Sequence, residues 1–163
     1  MSYDEIKRSQ LYHADVLVAV ETRPDLDPEM FQIPNDIGFP TLKEVLQQTN
    51  SALAFNLEVK YPQMTTSGDH QCDGYYDRNR VADLILNVLA DHAKDRPIVI
   101  SSFDFDTCLA FALKQSVWPI ATLTKGKFAL YDEPRTQRIE LAAQFARNNK
   151  IWVFSTHEKE NQN

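Results

Sequence analysis

Glycine and cysteine are both scarce in this sequence. The 163 residues include four glycines and two cysteines. No glycine-rich turn follows any predicted strand, which argues against a Rossmann or P-loop nucleotide site. Cys72 and Cys108 lie far apart and form no CxxC pair, so they predict neither a disulfide framework nor a zinc site. Free thiols of this kind fit a reducing compartment, and we expect a cytoplasmic location.

An excess of positive charge is also absent, as are long apolar runs. The formal net charge is -6, which argues against nucleic acid as a partner and against a polybasic membrane patch. No apolar run approaches the roughly 20 residues of a transmembrane segment. The N-terminus, MSYDEIKRSQ, lacks the apolar core of a signal peptide. With 43% hydrophobic and 25% charged residues, the chain has the composition of one ordinary globular domain.

Hydrophobic periodicity predicts strands and helices in alternation. Before residue 41 we expect only a short amphipathic helix over 3–13 and a proline-rich loop over 22–40. Thr41 and Glu44 form a capping box that begins the first clear helix. Asp77 and Asp104 can cap two later helices. The predicted strands are 52–60, 97–103, 119–124 and 151–154. Helices are expected from 78 to 93, from 105 to 113 and, more weakly, over 135–148. A long polar loop is expected over 61–77.

The alternation of short apolar strands with helices predicts a parallel α/β fold. The residues alone leave two arrangements open, a doubly wound open sheet and a (β/α)8 barrel.

One strand, "FNLEVKYPQ" at 55–63, carries polar groups at every second position. Alternate side chains of a strand point to opposite faces, so Asn56, Glu58 and Lys60 share one face. In a barrel this face would line the interior, and its polarity rises toward the carboxyl end, where barrel enzymes place their active sites. Burying Glu58 requires a partner, which a metal ion, a substrate or Lys60 could supply. The structural alternative is a Glu–Lys pair at an open sheet edge.

Several sequence blocks together resemble the glycerophosphodiester phosphodiesterase family, in its eukaryotic glycerophosphocholine phosphodiesterase branch. The first block is the N-x-E-x-K strand within "FNLEVKYPQ", and "PTLKEVL" precedes it. The later blocks follow in the order and spacing of that branch: "DGYYDRN" (73–79), "RPIVISSFDFDTC" (96–108) and "ATLTKGK" (121–127). The clearest match covers about residues 30–158, within a domain that would occupy 1–163.

The resemblance implies a TIM barrel that hydrolyses glycerophosphodiesters to glycerol 3-phosphate and an alcohol, with a divalent metal such as Mg²⁺ or Ca²⁺. By position, Glu58 resembles the metal-binding glutamate, and Lys60 the lysine that points toward the substrate phosphate. Asn56 would support the site from below. Phe103, at the end of the strand in "SSF", would line the substrate pocket.

The chain also departs from the family pattern at the residues expected to carry out catalysis. The expected histidine–arginine–glycine strand and histidine–aspartate pair are absent, and no histidine of the chain has such a context: His13, His70, His92 and His157. About four of eight barrel strands are present, so we expect an incomplete TIM barrel, an incomplete metal site and no appreciable hydrolysis by residues 1–163 alone. The alternatives are a catalytically dead remnant that binds ligand or acts as a decoy, and an unrelated open-sheet binding domain. Exposed barrel edges predict self-association.

Overall fold

A computed structural model describes residues 39–124 and 131–155 of this chain. Several predicted features lie outside the described residues: the helix 3–13, residues 22–38 of the loop predicted over 22–40, Lys125 and Lys127 of the block "ATLTKGK", and His157. The chain divides into two compact units, residues 1–49 and 50–163. None of the helices in the described ranges is long and apolar enough to cross a membrane.

The described part of the first unit contains helix α1, Leu42–Gln48. The predicted capping box begins it. The Glu44 backbone N–H donates to the Thr41 hydroxyl at 3.2 Å, and the Thr41 backbone N–H donates to the Glu44 carboxylate at 2.6 Å. These two reciprocal bonds satisfy donors that have no partner within the helix.

The second unit is a β/α layer. Its strands are β1 (Phe55–Glu58), β2 (Ile98–Ser102), β3 (Ile120–Thr124) and β4 (Trp152–Ser155). Its helices are α2 (Arg78–His92), α3 (Phe105–Lys114), α4 (Pro134–Gln137) and α5 (Ile139–Asn149). The strands pair in the order β1-β2-β3-β4, and every pair is parallel. The predicted α/β class with four parallel strands is confirmed, and the sheet is consistent with part of a (β/α)8 barrel.

The apolar core lies on one face of this sheet. Ile98, Ile100 and Ile120 share that face by register, and all three are buried. The largest buried apolar side chains of the helices are Leu89 from α2 and the two phenylalanines of α3, Phe105 and Phe111. Burial of such side chains stabilises a fold by about 1.5–3 kcal/mol each, relative to leaving them exposed.

The other face of the sheet is more open at its two outer strands. Asn56 and Glu58 on β1 are exposed, and on β4 the exposed fractions of Trp152 and Phe154 are 51% and 41%. Among the described strands, β1 and β4 each have a neighbour on one side only. This is the face that the alternation in "FNLEVK" predicts for a barrel interior.

Three predicted boundaries differ from the structure. The strand expected over 52–60 is shorter, Phe55–Glu58, with one further backbone bond from the Val59 N–H to the Ser101 carbonyl at 2.7 Å, and Leu53 before it is 55% exposed. The helix expected over 135–148 is two helices, α4 and α5, because Arg138 between them has extended backbone angles. The loop 61–77 contains a small folded hairpin, held by hydrogen bonds that polarity alone does not reveal.

Candidate substrate-binding site

The loops after three adjacent strands meet at the carboxyl edge of the sheet. Residues 59–77 follow β1, Phe103 and Asp104 follow β2, and the described residues 131–133 follow β3. Side chains from all three loops line two neighbouring clefts. Parallel β/α proteins place their functional groups at this edge, since loops that follow the strands can vary without disturbing the core.

The loop after β1 is fixed to the segment after β3. Within the loop, the Thr65 N–H donates to the Asp69 carbonyl at 2.8 Å, and Gly68 takes a φ of 90° that suits glycine in the turn. Across to the other segment, the Asp132 N–H donates to the Met64 carbonyl at 2.9 Å. The Gln71 side-chain amide donates to the Tyr131 hydroxyl at 2.6 Å. These bonds hold the walls of both clefts.

We name the larger of the two clefts the lysine cleft. Its volume is about 320 Å³, and its lining brings together three of the four residues that the sequence predicts, Glu58, Lys60 and Phe103. Ser102 at the end of β2, Asp104 in the loop after it, and Gln71 and Tyr131 also line this cleft. The fourth predicted residue, Asn56, lies on β1 and is not part of the lining among the described residues.

Glu58 and Lys60 form an ion pair at the mouth of the lysine cleft. The Lys60 Nζ donates to the Glu58 Oε1 at 2.8 Å, and the exposed fractions of the two side chains are 85% and 34%. An exposed pair contributes only about 0–1 kcal/mol, because water and ions screen it. The pair is therefore easily exchanged for a pair between the ammonium and a bound anion.

Asn56 connects β1 to β2. The Ser101 hydroxyl donates to the Asn56 amide oxygen at 2.9 Å, and Ser101 is fully buried. The bond lies on the same face of the sheet as Glu58, one step nearer the amino end of the strand. Asn56 thus fixes the strand that presents Glu58 and Lys60.

Arg78 and Asp104 form a less exposed ion pair between the two clefts. The Arg78 Nη2 donates to the Asp104 Oδ2 at 3.0 Å, and the exposed fractions of the side chains are 32% and 11%. The other carboxylate oxygen of Asp104 accepts the Thr107 backbone N–H at 2.6 Å and so caps α3. Burial alone lowers the pKa of Arg78, but its hydrogen bond to Asp104 and the charge of that carboxylate outweigh burial and raise it. The guanidinium therefore stays charged.

The backbone before Asp104 is fixed by a short chain of hydrogen bonds. The Ser102 hydroxyl donates to the Val59 carbonyl at 2.7 Å and accepts the Asp104 N–H at 3.0 Å. Both serine bonds are buried, so the ends of β1 and β2 and the start of α3 hold one another in place. This placement fixes Asp104 between the clefts.

We name the smaller space the tyrosine cleft. Its volume is about 230 Å³, and Tyr61, Pro62, Gln63 and Asp104 line it as well as the lysine cleft. The Tyr61 and Tyr75 rings meet edge to face with centroids 5.8 Å apart, and the Arg78 guanidinium lies 4.5 Å from the Tyr61 centroid. The remaining lining residues come from the hairpin and from the segment after β3: Met64, His70, Asp132 and Glu133.

The Tyr61 hydroxyl is a hydrogen-bond donor in this arrangement. Burial is the main cause that raises the pKa of Tyr61. The nearby charge of Arg78 lowers this pKa, but burial outweighs it. The hydroxyl donates to the Tyr76 carbonyl at 3.0 Å. The ring is thus fixed by its hydroxyl at one end and by Arg78 over its face.

The described residues do not form a metal centre by themselves. No group of three or more histidine, cysteine, aspartate or glutamate side chains in residues 39–124 and 131–155 is arranged to hold an ion. Glu58 could supply one oxygen ligand, and its carboxylate is bonded to Lys60. His70 lines the tyrosine cleft, whereas His92 lies in the last turn of α2 and lines neither cleft among the described residues.

Sequence reasoning missed several residues of the site. Asp104 was expected only as a helix cap, and Arg78 received no role. A signal for both exists, since Asp104 directly follows the "SSF" strand end and Arg78 follows the polar loop at the first position of its helix. Tyr61, Asp132 and Glu133 carry no such signal, because the contact between their loops depends on the folded hairpin.

Together these features define the class of protein. Parallel strands joined by helices, with charged and aromatic side chains converging on the loops at their carboxyl ends, are typical of α/β proteins of the TIM-barrel type. The sequence model of the glycerophosphoryl diester phosphodiesterase family matches residues 1–160. The chain belongs to this family, which confirms the resemblance seen in the sequence.

Curated relatives agree with this assignment. The chain is 29% identical to the glycerophosphocholine phosphodiesterase of Homo sapiens over 96% of its own length and 24% of that protein. The Mus musculus protein of the same name is 30% identical, again over 96% of this chain and 24% of the relative. A glycerophosphocholine phosphodiesterase of Eremothecium gossypii is 33% identical over 72% of this chain and 9% of the relative. The chain thus spans about a quarter of the length of the mammalian relatives.

Proposed function

We propose that this chain provides the substrate-binding edge of a phosphoric diester hydrolase that acts on glycerophosphodiesters. The observation that carries the proposal is the lysine cleft, where Glu58, Lys60 and Phe103 meet at the carboxyl edge of the sheet. Family membership supports the reaction class, and the printed names of the relatives favour glycerophosphocholine as substrate. The domain would occupy residues 1–163, with its clearest similarity over 30–158.

The proposed role of Lys60 is to bind the phosphate. A phosphodiester carries one negative charge, and the Lys60 ammonium, 85% exposed, can turn from Glu58 toward it without being desolvated first. A charge-assisted hydrogen bond to phosphate is stronger than one between neutral groups. Phe103 would pack against the apolar part of the glycerol or alcohol, and Asn56 would hold the strand in place through Ser101.

The proposed role of Glu58 is that of a single oxygen ligand to a divalent cation such as Mg²⁺ or Ca²⁺. Hard cations of this kind prefer carboxylate oxygens and, when bound, offset charge on a phosphoryl group.

A second candidate is a binding module that takes up the same ligands without hydrolysing them. The observation that favours it is that no histidine lines the lysine cleft among residues 39–124 and 131–155. General acid–base groups typically contribute about 10²–10⁴-fold each. We therefore expect residues 1–163 alone to bind glycerophosphodiesters with no appreciable turnover.

We also propose a cytoplasmic location and contact between copies of the chain. Both cysteines are free, Cys72 at the surface and Cys108 in the core, which suits a reducing compartment. Among the described strands, β1 and β4 have a neighbour on one side only, and this supports self-association, because the backbone groups on the other side can pair with another chain.

One phosphorus NMR experiment separates the two candidates. Glycerophosphocholine is incubated with the chain, with and without Mg²⁺ or Ca²⁺, and its phosphodiester resonance is followed. Broadening or shifting of this resonance without growth of a monoester signal is the expected result. Growth of glycerol 3-phosphate at the rate of an intact family member would overturn the binding-only expectation, and an unperturbed resonance at every concentration would refute the proposed site.

A further inference from the structure

One buried polar atom in the wall between the two clefts lacks a hydrogen-bond partner. The side-chain oxygen of Gln63, Oε1, is buried, and no donor reaches it from the residues that the structure describes. Gln63 lines both the lysine cleft and the tyrosine cleft. Buried polar groups of native proteins are nearly always paired, because an unpaired group has lost its hydrogen bonds to water and gained none in return. A ligand that supplies a donor would account for this exception.

The backbone of Gln63 is held in place although its side-chain oxygen is unpaired. The Gln63 N–H donates to the Gln71 Oε1 at 2.9 Å, and the Gln63 carbonyl accepts the Gln71 N–H at 3.1 Å. The side-chain amide of Gln71 is in turn bonded to the Tyr131 hydroxyl. Only the side-chain torsions of Gln63 therefore remain to be ordered when a ligand binds, and a preorganised site loses less conformational freedom.

The other polar side chains of the shared wall are already bonded. One carboxylate oxygen of Asp104 accepts from the Arg78 guanidinium, and the other accepts from the Thr107 backbone. The Tyr61 hydroxyl donates to a backbone carbonyl. Gln63 is thus the residue of this wall that can offer a ligand an uncommitted buried acceptor.

A neutral donor suits this wall better than a cation. The carboxylate of Asp104 is neutralised by Arg78 at 3.0 Å, and the amide oxygen of Gln63 carries no net charge. These groups cannot offset the cost of removing an ammonium group from water. A hydroxyl group has only one donor, and a bond to the amide oxygen satisfies it. The terminal torsion of glutamine is broad, so a rotation of the amide can turn the oxygen toward the cleft.

We propose that Gln63 is a specificity-determining residue of the hydrolase, and that its Oε1 accepts a hydrogen bond from a hydroxyl group on the carbon chain that bears the phosphate. This role rests on the proposed function, since the phosphate in the lysine cleft would bring the hydroxyl to the shared wall. A site that bonds a hydroxyl group rejects the analogue without it, because the buried acceptor is then left unpaired. Gln63 would therefore select hydroxylated phosphate esters over simple alkyl esters.

Two phosphate monoesters with the same carbon chain test this role: glycerol 3-phosphate, and n-propyl phosphate, which has no hydroxyl group. Calorimetric titration of the 163-residue chain gives the ratio of their affinities. We expect the wild type to bind glycerol 3-phosphate about tenfold more tightly, and Gln63→Met to bind the two esters about equally. Gln63→Glu keeps an acceptor, so its negative charge should weaken both esters while the preference for the hydroxylated ester remains.

Gln144→Met is the matched control, because Gln144 is an exposed glutamine of α5 that lines neither cleft among the described residues. It should retain the wild-type ratio. Equal affinities of the two esters in the wild type, or an unchanged ratio in Gln63→Met, would overturn the role of Gln63 and leave the phosphate site of the proposed function standing. Absence of binding for both esters in the wild type would refute the proposed function and this role with it.

Urea unfolding without ligand gives a second readout. Since the Gln63 oxygen is unpaired in the free chain, Gln63→Met gives up no bond to this oxygen and should leave the urea midpoint unchanged or raise it. A midpoint clearly below that of Gln144→Met would mean that the Gln63 side chain is already paired within the chain, and would overturn its assignment as an acceptor kept for a ligand.

Discussion

Substitution of Asp104 by asparagine tests the ion pair that separates the two clefts. Asparagine is as good a helix N-cap as aspartate, so the bond from the Thr107 N–H at 2.6 Å should persist. The substitution removes only the charge that faces Arg78 at 3.0 Å. The guanidinium then lacks the carboxylate that neutralises it, in a position where its side chain is only 32% exposed.

The expected magnitude follows from this partial burial. An exposed pair would contribute at most about 1 kcal/mol, whereas a hydrogen bond between charged groups is worth about 1.5–3 kcal/mol. With the Asp104 side chain 11% exposed, we expect Asp104→Asn to lower the free energy of unfolding by about 2 kcal/mol. Asp104→Ala also removes the cap and should cost about 1 kcal/mol more.

The assay is urea unfolding followed by tryptophan fluorescence at low protein concentration, completed as a double-mutant cycle with Arg78→Met. Methionine keeps an apolar stem beside Tyr61 and removes the guanidinium. The free energy of unfolding of the double variant should fall by about 1 kcal/mol less than the two single losses added together, because the ion pair is lost only once. Asp77→Asn is the control, since Asp77 caps α2 and has no ion pair among the described residues.

Two results would refute this account of the pair. One is additivity of Asp104→Asn and Arg78→Met within about 0.5 kcal/mol, the scatter seen for independent sites. The other is a loss in Asp104→Asn no larger than the loss in Asp77→Asn.

Further predictions concern Cys108, Glu58 and the exposed aromatic side chains of β4. Burial, with a smaller effect of Asp104, raises the pKa of the Cys108 thiol to about 12, whereas the Cys72 thiol is exposed. A disulfide reagent near neutral pH should therefore react with one thiol in the folded chain and with two thiols in urea. Rapid reaction of both thiols in the folded chain would contradict this. Because the folded pKa of Cys108 lies above its ordinary value of 9.0, its contribution to stability is complete below that pH and declines as the pH rises toward 12, which urea midpoints at several alkaline pH values will measure. Glu58→Gln should change the free energy of unfolding by less than about 0.5 kcal/mol, since its pair is exposed; a larger loss would mean that the pair is structural. Sizing chromatography should show that the chain associates as its concentration rises, and that this association decreases when Trp152 and Phe154 are replaced by serine. A monodisperse monomer with one steep urea transition would exclude self-association.

The sequence predicted most of the fold, because its signals are local. Asp77 and Asp104 begin their helices as expected, and the apolar strands pair in chain order. The errors occur where tertiary contacts decide. Strand β1 begins at Phe55, three residues later than the sequence predicts. The Arg96 guanidinium lies over the Phe55 ring at 4.2 Å and donates to the Leu53 carbonyl at 2.8 Å. These contacts hold the residues before Phe55 as a turn.

The site could be predicted only in part, for a similar reason. Alternation along one strand places Glu58 and Lys60 together, and a strand end places Phe103 near them. The tyrosine cleft depends on contacts between residues far apart in the chain. Gln71 meets Tyr131 and Arg78 meets Asp104 only after the loop of residues 61–77 has folded onto its neighbours. No periodicity in the sequence encodes such pairs.

The most direct measurement of the central claim is the affinity of the chain for glycerol 3-phosphate in two lysine variants. Lys60 lies in the lysine cleft, and Lys114 makes an ion pair of the same length, 2.8 Å, with Asp83, outside that lining. Calorimetric titration should show binding about fivefold weaker in Lys60→Met and unchanged in Lys114→Met. Equal affinities in the wild type and both variants, or equal losses in the two variants, would contradict the assignment of the lysine cleft as the phosphate site.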